Sequence, residues 1–474
     1  MKKILLLATM AMAASSAFAV TDGLTYESKE GINCKNLWIA DRFHNSYGLG
    51  QLPFMEMPGK ARTACIATLG DKPEDVKILV GYSKTITEGE TSNDYAHIVV
   101  FNFLSGKYEK TVQCTYEGKP ISGTLCANQI GCDSFGHVYI AGLLSSTLKT
   151  DGTAVSGANA HRVYNVDLET GVCTLVNDFV LGEDDWMVTN AGRIDYCNLT
   201  GDITLENAAC VYVVAINGAT NAVYGFRAEQ GATGEDAWQP LMNDGSYYAM
   251  VFEETYPDGQ ASWSYAPVAV AIKDEDFSGQ LIYVDGFTTH PTLYNTTGGI
   301  VESFASAPDL APDGGTGANG VAEFTLNDVP YIAYPLAQYD KTDHKCSIRV
   351  AQLGEGSSFE GMKDMWVLPT DGLGDVSDGG TRIHGVDAKN IPDENGMDGV
   401  YVLTYKCNNG LAVYAITPEG YKDLGGVNDI IVDENNNAPV QYFNLNGVEV
   451  SADNLTPGLY ITRQGDKGGK VIIK

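Results

Sequence analysis

Positive charge is scarce in this chain. Lys and Arg number 30 against 60 Asp and Glu, a formal net charge of −30 over 474 residues. A nucleic-acid backbone or an anionic membrane surface needs clustered cations, so neither fits as the main partner. Charged residues of both signs reach only 19%, too few for a long coiled coil. Helical patterning is also missing: after the first 19 residues no stretch keeps a 3.6-residue apolar period for three turns. The seven histidines include no i, i+4 pair, and no Cys-x-x-Cys occurs. A zinc knuckle and a thioredoxin-type motif are therefore unsupported. His-Glu-x-x-His, Gly-x-Ser-x-Gly, Walker A and dinucleotide fingerprints are absent too. Hydrophobic residues, at 44%, are too many for a disordered chain.

Long apolar runs are lacking except at the start. Lys2 and Lys3 precede the mainly apolar run Ile4 to Ala14, and Ala17-Phe18-Ala19 is a small-x-small site. Residues 1–19 read as a secretory signal, with the mature chain starting at Val20. The run is too short for a membrane span, which takes ~20 apolar residues. No Cys stands at the new N-terminus, which argues against a lipid anchor. An exported chain can form disulfides. Ten cysteines are present, but pairing cannot be read from sequence. Cys65, Cys173 and Cys210 lie inside β patterns, where Cys acts as a small buried hydrophobe. The reading is mostly free buried thiols with one or two disulfides; Cys126 and Cys132 are the pair nearest in sequence.

What recurs is short runs of Val, Ile, Tyr and Phe bounded by Gly, Asp and Asn. The clearest unit spans Leu125 to Phe179, with strands at Cys126–Ile130, His137–Ala141, Arg162–Asp167 and Val172–Val176. Its turns are Asp133-Ser-Phe-Gly136 and Leu168-Glu-Thr-Gly171. With the strand at 137, comparable second strands start at 77, 137, 210, 280, 329 and 399, giving spacings of 60, 73, 70, 49 and 70. Such a period with loop insertions predicts an all-β chain folded as a β-propeller. Tandem β-sandwiches are the rival; no linker-like break lies between residues 60 and 420, which favours one ring. Six blades are clear. Asn36-Leu-Trp-Ile-Ala40 adds an early strand that either completes a seventh blade or closes the last one, and seven is favoured over six.

The expected division is 1–19 signal peptide, 20–425 propeller-like domain, 426–437 linker and 438–474 a small β-module. The module holds Gln441 to Gly447, Val448 to Val450, Leu455 to Tyr460 and Lys470 to Lys474. With Gly447, Gly458, Tyr460, Lys470 and Lys474 at its turns and strands, it resembles the C-terminal sorting-type tails of secreted Bacteroidetes proteins. That resemblance implies type IX-like recognition by an outer-membrane export machinery and delivery to the cell surface or medium. Leu37-Trp38, Ala61 to Ala64, Gly136 to Ile140, Gly192 to Ile194 and Gly201 to Ile203 resemble secreted Bacteroidetes propeller-like proteins of unknown function. That second resemblance supplies no catalytic residues.

Candidate chemistry is sparse. His384, in Arg382-Ile-His-Gly385, begins a strand, where propeller lyases place functional groups. The runs Glu183 to Asp185 and Asp274 to Asp276 read as solvated turns. Loops 371–378 and 393–398 combine Asp, Asn and Gly, which suits Ca²⁺, but turn chemistry explains the same residues; no cofactor is expected. One segment is compositionally odd. An insert near 228–265 carries Trp238, Tyr247, Tyr248, Phe252, Tyr256, Trp263 and Tyr265. Such rings stack on sugars or anchor a partner protein. Trp238, Tyr247, Tyr248, Tyr256 and Trp263 are therefore candidate ligand contacts, the rival reading being that they pack the insert on its neighbour. The expected function is an exported propeller that binds a glycan or a cell-surface protein. A carbohydrate-active lyase or hydrolase at one mouth of the ring is the alternative, and a scaffold role the third.

Overall fold

A computed structural model of the chain describes residues 21–41, 60–70, 72–89, 91–145, 160–180, 191–218, 222–234, 237–240, 242–243, 246–247, 249–251, 267–272, 282–286, 290–295, 300–312, 320–336, 346–373, 384–407, 409–424, 440–444, 449–452, 455–464 and 467–473. The protein is all-β, with only 3₁₀ turns besides strands among the described residues. It divides into two compact units, residues 1–421 and 422–474.

Among the described residues the first unit contains six antiparallel sheets of four or more strands, built as meanders to which sheets three and six add an earlier strand, and two two-stranded hairpins, Thr115–Tyr116 with Lys119–Pro120 and Met242–Asn243 with Ser246–Tyr247. Sheet one runs through Thr63–Thr68, Val76–Glu88, Thr91–Asn102 and Tyr108–Gln113. Sheet two runs through Gln129–Cys132, Val138–Ala141, Ala160–Val166 and Cys173–Val180. Sheet three has Ala191–Gly201, Cys210–Gly218, Ala222–Ala228 and Gln239–Pro240, with Leu144–Ser145 and Ala249–Val251 added. Sheet four has Pro267–Ile272, Ile282–Gly286, Thr292–Tyr294 and Ile300–Glu302. Sheet five has Ala322–Leu326, Val329–Pro335, Ile348–Gln352 and Lys363–Leu368. Sheet six takes three strands from the end of the unit, His384–Pro392, Asp398–Lys406 and Gly410–Pro418, and its fourth, Ile32–Asp41, from the beginning.

That last pairing corrects the seven-blade expectation. Asn36 to Ala40 lie in Ile32–Asp41, whose register runs from Ile32 opposite Pro418 to Asp41 opposite Gly410. The early strand closes the sixth sheet, and no seventh sheet of four strands occurs in this unit among the described residues. Physically, a ring of sheets opens at the seam where its chain ends meet. Making one sheet from both ends puts a full hydrogen-bond ladder across that seam. The ten-residue strand is well suited: its last four residues are all buried, and Trp38 donates its indole N–H to Phe103 O of sheet one at 2.6 Å.

The core lies between neighbouring sheets. One cluster joins sheets one and two through Cys65, Leu79, Ile98, Ile130 and Ile140. A second joins sheets two and three through Tyr139, Val163, Tyr212 and Phe226. A third joins four and five through Tyr283, Leu293, Ile332 and Phe359, and a fourth joins five and six through Phe324, Val350, Trp366, Val402 and Tyr414. A sheet covered on both faces needs apolar residues on both faces. Gly410–Pro418 is accordingly buried along its whole length. The outermost strand Tyr108–Gln113 buries only Val112.

The first strand of each sheet has an edge that is unpaired along most or all of its length, and backbone groups there still need partners. Side chains supply several of them. The Gln129 amide of sheet two accepts from Cys197 N at 2.6 Å and donates to Cys197 O in sheet three. Asp387 of sheet six accepts from Ile66 N of sheet one at 2.8 Å. Thr63 Oγ1 donates to Asn128 O at 3.1 Å and accepts from Ile130 N at 2.9 Å. Asn390 donates to Thr325 O at 2.9 Å.

The second unit holds one four-stranded antiparallel sheet, in the order Glu449–Val450, Gln441–Phe443, Gly458–Gln464, Lys467–Ile473. Its Tyr460 is buried, while Leu459 and Ile461 are exposed on the same strand, as two-residue alternation requires.

Candidate functional site

Residues from all six sheets line one cavity of about 320 Å³. Sheet one contributes Thr63 and Cys65, sheet two Gln129, Cys132 and Tyr139, and sheet three Tyr196, Cys197, Asn198 and Thr200. Sheet four contributes Tyr283; Glu323 comes from sheet five and Asp387 and Lys389 from sheet six. Polar groups can gather here because the first strand of sheet six departs from the buried pattern. Gly385 through Lys389 are all half-buried. Tyr283 donates its hydroxyl to Glu323 Oε2 at 2.6 Å, joining sheets four and five. Burial, then the Glu323 charge, pushes the Tyr283 pKa up, so it stays a hydrogen-bond donor at neutral pH. Asp387 accepts Ile66 N through Oδ2 and Ala388 N through Oδ1, at 2.8 and 2.9 Å. Burial raises the Cys132 thiol to about 11 despite the Lys389 charge nearby, and burial raises Cys65 and Cys197 as well. The cavity thus offers carboxylate acceptors, an ammonium, amides, phenols and protonated thiols.

A second polar cluster lies at the turns of sheets two and three. Asp133, His137 and Asp202 bring ligand-type atoms within 4.8 Å of one another. Asp133 Oδ1 accepts Phe135 N at 2.9 Å and His137 N at 2.8 Å. Its Oδ2 accepts Ile203 N at 3.0 Å and faces His137 Nδ1 at 3.1 Å. Asp202 Oδ1 accepts Thr204 N and Thr204 Oγ1 at 2.8 and 2.6 Å and lies 3.1 Å from His137 Nδ1. Its Oδ2 accepts both the backbone and the side-chain amide of Asn207 at 2.8 Å. Burial alone would raise the Asp202 pKa, but these donors outweigh it and hold the group at about 2. Every carboxylate oxygen of the trio already accepts a hydrogen bond from the surrounding turns, and the three side chains are spaced so that they could also hold a metal ion.

The turn itself is repeated in sheet six. Asp393 Oδ1 accepts Asn395 N and Met397 N at 2.8 and 2.9 Å. Gly396 N bonds Asp393 O as Gly136 N bonds Asp133 O. The loop 393–398, considered above for Ca²⁺, is therefore a self-capped turn. Most of 371–378 lies outside the described residues.

The aromatic candidates separate. Trp238 packs against the core between sheets two and three. Its indole N–H donates to Val176 O at 2.9 Å, and its ring meets Tyr212 edge-on at 6.2 Å. It thus has a packing role, and it does not line the cavity. Tyr247 sits in the two-residue strand Ser246–Tyr247, opposite Met242. Tyr248, Tyr256 and Trp263 lie outside the described residues, as do Glu183 to Asp185, Asp274 to Asp276, residues 1–20, Gly447 and Lys474. Gly458 and Lys470 fall on the paired strands Gly458–Gln464 and Lys467–Ile473.

His384 is 1% exposed and hydrogen-bonds Thr404 Oγ1 through Nε2 at 2.8 Å. Burial, then the Lys406 charge, drives its pKa far down. It is a neutral interior histidine outside the cavity lining. Glu323, Asp387 and Lys389 escaped sequence reading because charged residues scattered through strands read as solvent-facing positions. The one signal was the alternation of Asp387 and Lys389 in Gly385-Val-Asp-Ala-Lys389 where the neighbouring strands are apolar.

No family model matches the chain, and no curated protein matches it. Among solved structures it is similar to a DUF4623 family protein from Bacteroides eggerthii, at 12% identity, 85% of this chain, 78% of that one and a TM-score of 0.47. It is also similar to an alpha-L-arabinanase from Penicillium chrysogenum complexed with arabinobiose, at 11% identity, covering 77% and 95% of the two chains with a TM-score of 0.41. AofleA from Arthrobotrys oligospora shares 10% identity, with 96% of each chain covered and a TM-score of 0.40. No described helix is long and apolar enough to cross a membrane.

Proposed function

We propose that this chain is an exported, six-bladed β-propeller that binds a glycan in its central cavity. The observation that carries the reading is the convergence of all six sheets on one cavity of about 320 Å³, at the small end of the range for ligand sites. Sugars present hydroxyls alternating with flat C–H faces. A site for them pairs fixed acceptors and donors with rings, as Glu323, Asp387, Asn198 and Gln129 do beside Tyr139 and Tyr196. The leader at residues 1–19 and the tail at 438–474 support delivery to the cell surface or medium. In that reading Gly447, Gly458, Tyr460, Lys470 and Lys474 belong to the export address. The aromatic insert is secondary to the cavity, because Trp238 is engaged in packing.

The test is native electrophoresis of the mature protein in gels containing single polysaccharides, with the same polysaccharides sized afterwards. Retardation without shortening is expected, weakened about tenfold by Asn198→Ala if one hydrogen bond is lost. Neither retardation nor shortening overturns the glycan reading in favour of a protein ligand. A hydrolase is the second reading, because Glu323 and Asp387 share the cavity and two carboxylates are what glycoside hydrolysis requires. Shortening that is lost in Glu323→Gln would replace the binding reading with this one.

A further inference from the structure

Cys114 follows the outer strand of sheet one and Cys173 opens the outer strand of sheet two. Both are buried thiols in one apolar cluster between sheets one and two, close enough to shift each other's pKa. The two backbones touch at the same place. Thr115 N donates to Gly171 O at 2.8 Å, and Thr115 bridges Val172 in parallel. Gly171 has φ +75°, and a Cβ there would lie 2.2 Å from Gln113 O, so the approach depends on glycine. Cys126, Cys132 and Cys210 direct their S–H groups at Ser83 Oγ, Asp133 O and Val211 O, and Cys173 Sγ lies 3.6 Å from Gly171 O, beside the same contact between the two backbones. The Cys114 S–H favours a thiolate on Cys173 and lowers its pKa, while the Cys114 pKa rises in return.

We propose that Cys114 and Cys173 are joined by a disulfide in the exported protein, tying the outer edges of sheets one and two. The inference rests on the export reading, since such bonds persist in oxidising compartments. The oxidant is a protein dithiol–disulfide or a small-molecule disulfide, acting before the pair is buried. The Cys173 thiolate attacks one sulfur of that disulfide, whose S–S bond breaks and whose other sulfur leaves as a thiolate. The Cys114 thiolate then attacks Cys173 in the mixed disulfide and expels the second sulfur of the oxidant. Two electrons pass to the oxidant, and the two protons from Cys114 and Cys173 finish on its thiols.

The exported full chain is alkylated with iodoacetamide in denaturant without reductant, digested and analysed by mass spectrometry, and its N-terminus is sequenced. The expected result is one joined species carrying Cys114 and Cys173. It should be two hydrogens lighter than the separate peptides and split by reductant. Alkylation of both residues, or pairing of either with another cysteine, in a chain beginning at Val20 overturns the proposal while leaving export intact. A chain that keeps residues 1–19 counts against export instead. The same digest is then made after refolding that chain with oxidised glutathione. Joined peptides support the pairing and alkylated ones overturn it.

Discussion

Acid should loosen this protein in part through one buried imidazole, His161. The side chain is 1% exposed. Its Nδ1 shares a hydrogen bond with the Tyr212 hydroxyl, its ring stacks on Tyr212, and its Nε2 has no hydrogen-bond partner. Burial lowers its pKa from 6.5 to about 4. Protonation of the folded form would place an uncompensated charge between sheets two and three. As pH falls through 6.5 the unfolded chain takes up the proton while the folded chain does not. Stability is therefore complete above pH 6.5, falls between 6.5 and 4, and loses nothing more from this group below 4. A depression of that size corresponds to about 3 kcal/mol. His384 is displaced in the same direction, so the comparison must isolate His161. The assay is urea unfolding of wild type and His161→Phe at steps from pH 7.5 to 4.5. The variant loses the bond to Tyr212 and starts about 1–3 kcal/mol lower. The difference between the two curves should shrink by about 2–3 kcal/mol on acidification. A difference that stays constant across the series refutes the reasoning.

Two further changes test the turns and the aromatic insert. Gly136 and Gly396 occupy the same position in two copies of one turn, with φ of +88° and +78°, but a Cβ at Gly136 would meet Thr68 O at 2.9 Å while one at Gly396 meets nothing within 4 Å. Gly136→Ala should cost about 1 kcal/mol more than Gly396→Ala in denaturant unfolding, and equal costs would show that the contact with Thr68 is immaterial. Trp238→Ala should lower stability by about 2–4 kcal/mol with glycan affinity unchanged in the folded fraction. Loss of affinity at full stability would return the ligand to the insert.

Much of the architecture was legible along the chain. The second strand expected at Lys77 to Tyr82 lies within Val76–Glu88, the one at Cys210 to Ile216 within Cys210–Gly218, and the one at Val329 to Tyr334 within Val329–Pro335. Those segments are legible because a strand's apolar run and its bounding Gly and Asp turns are local properties. Asp133-Ser-Phe-Gly136 was legible as a turn for the same reason: the aspartate caps amides two and four residues away.

Position in the ring is not local. The sequence marked Asn36 to Ala40 as a strand but left it free to start a seventh blade. Only its pairing with Gly410–Pro418, almost 400 residues along the chain, made it the closure of the sixth. The cavity was hidden likewise, because Gln129, Asn198, Glu323 and Asp387 lie on four strands far apart in sequence. Cys114 and Cys173 are 59 positions apart, and their contact follows from how two outer strands pack. Composition, turn chemistry and strand periodicity were determined by neighbours in sequence. Which side chains face one another was decided by closing the ring, since burying both faces of six sheets at once fixes their order around the centre.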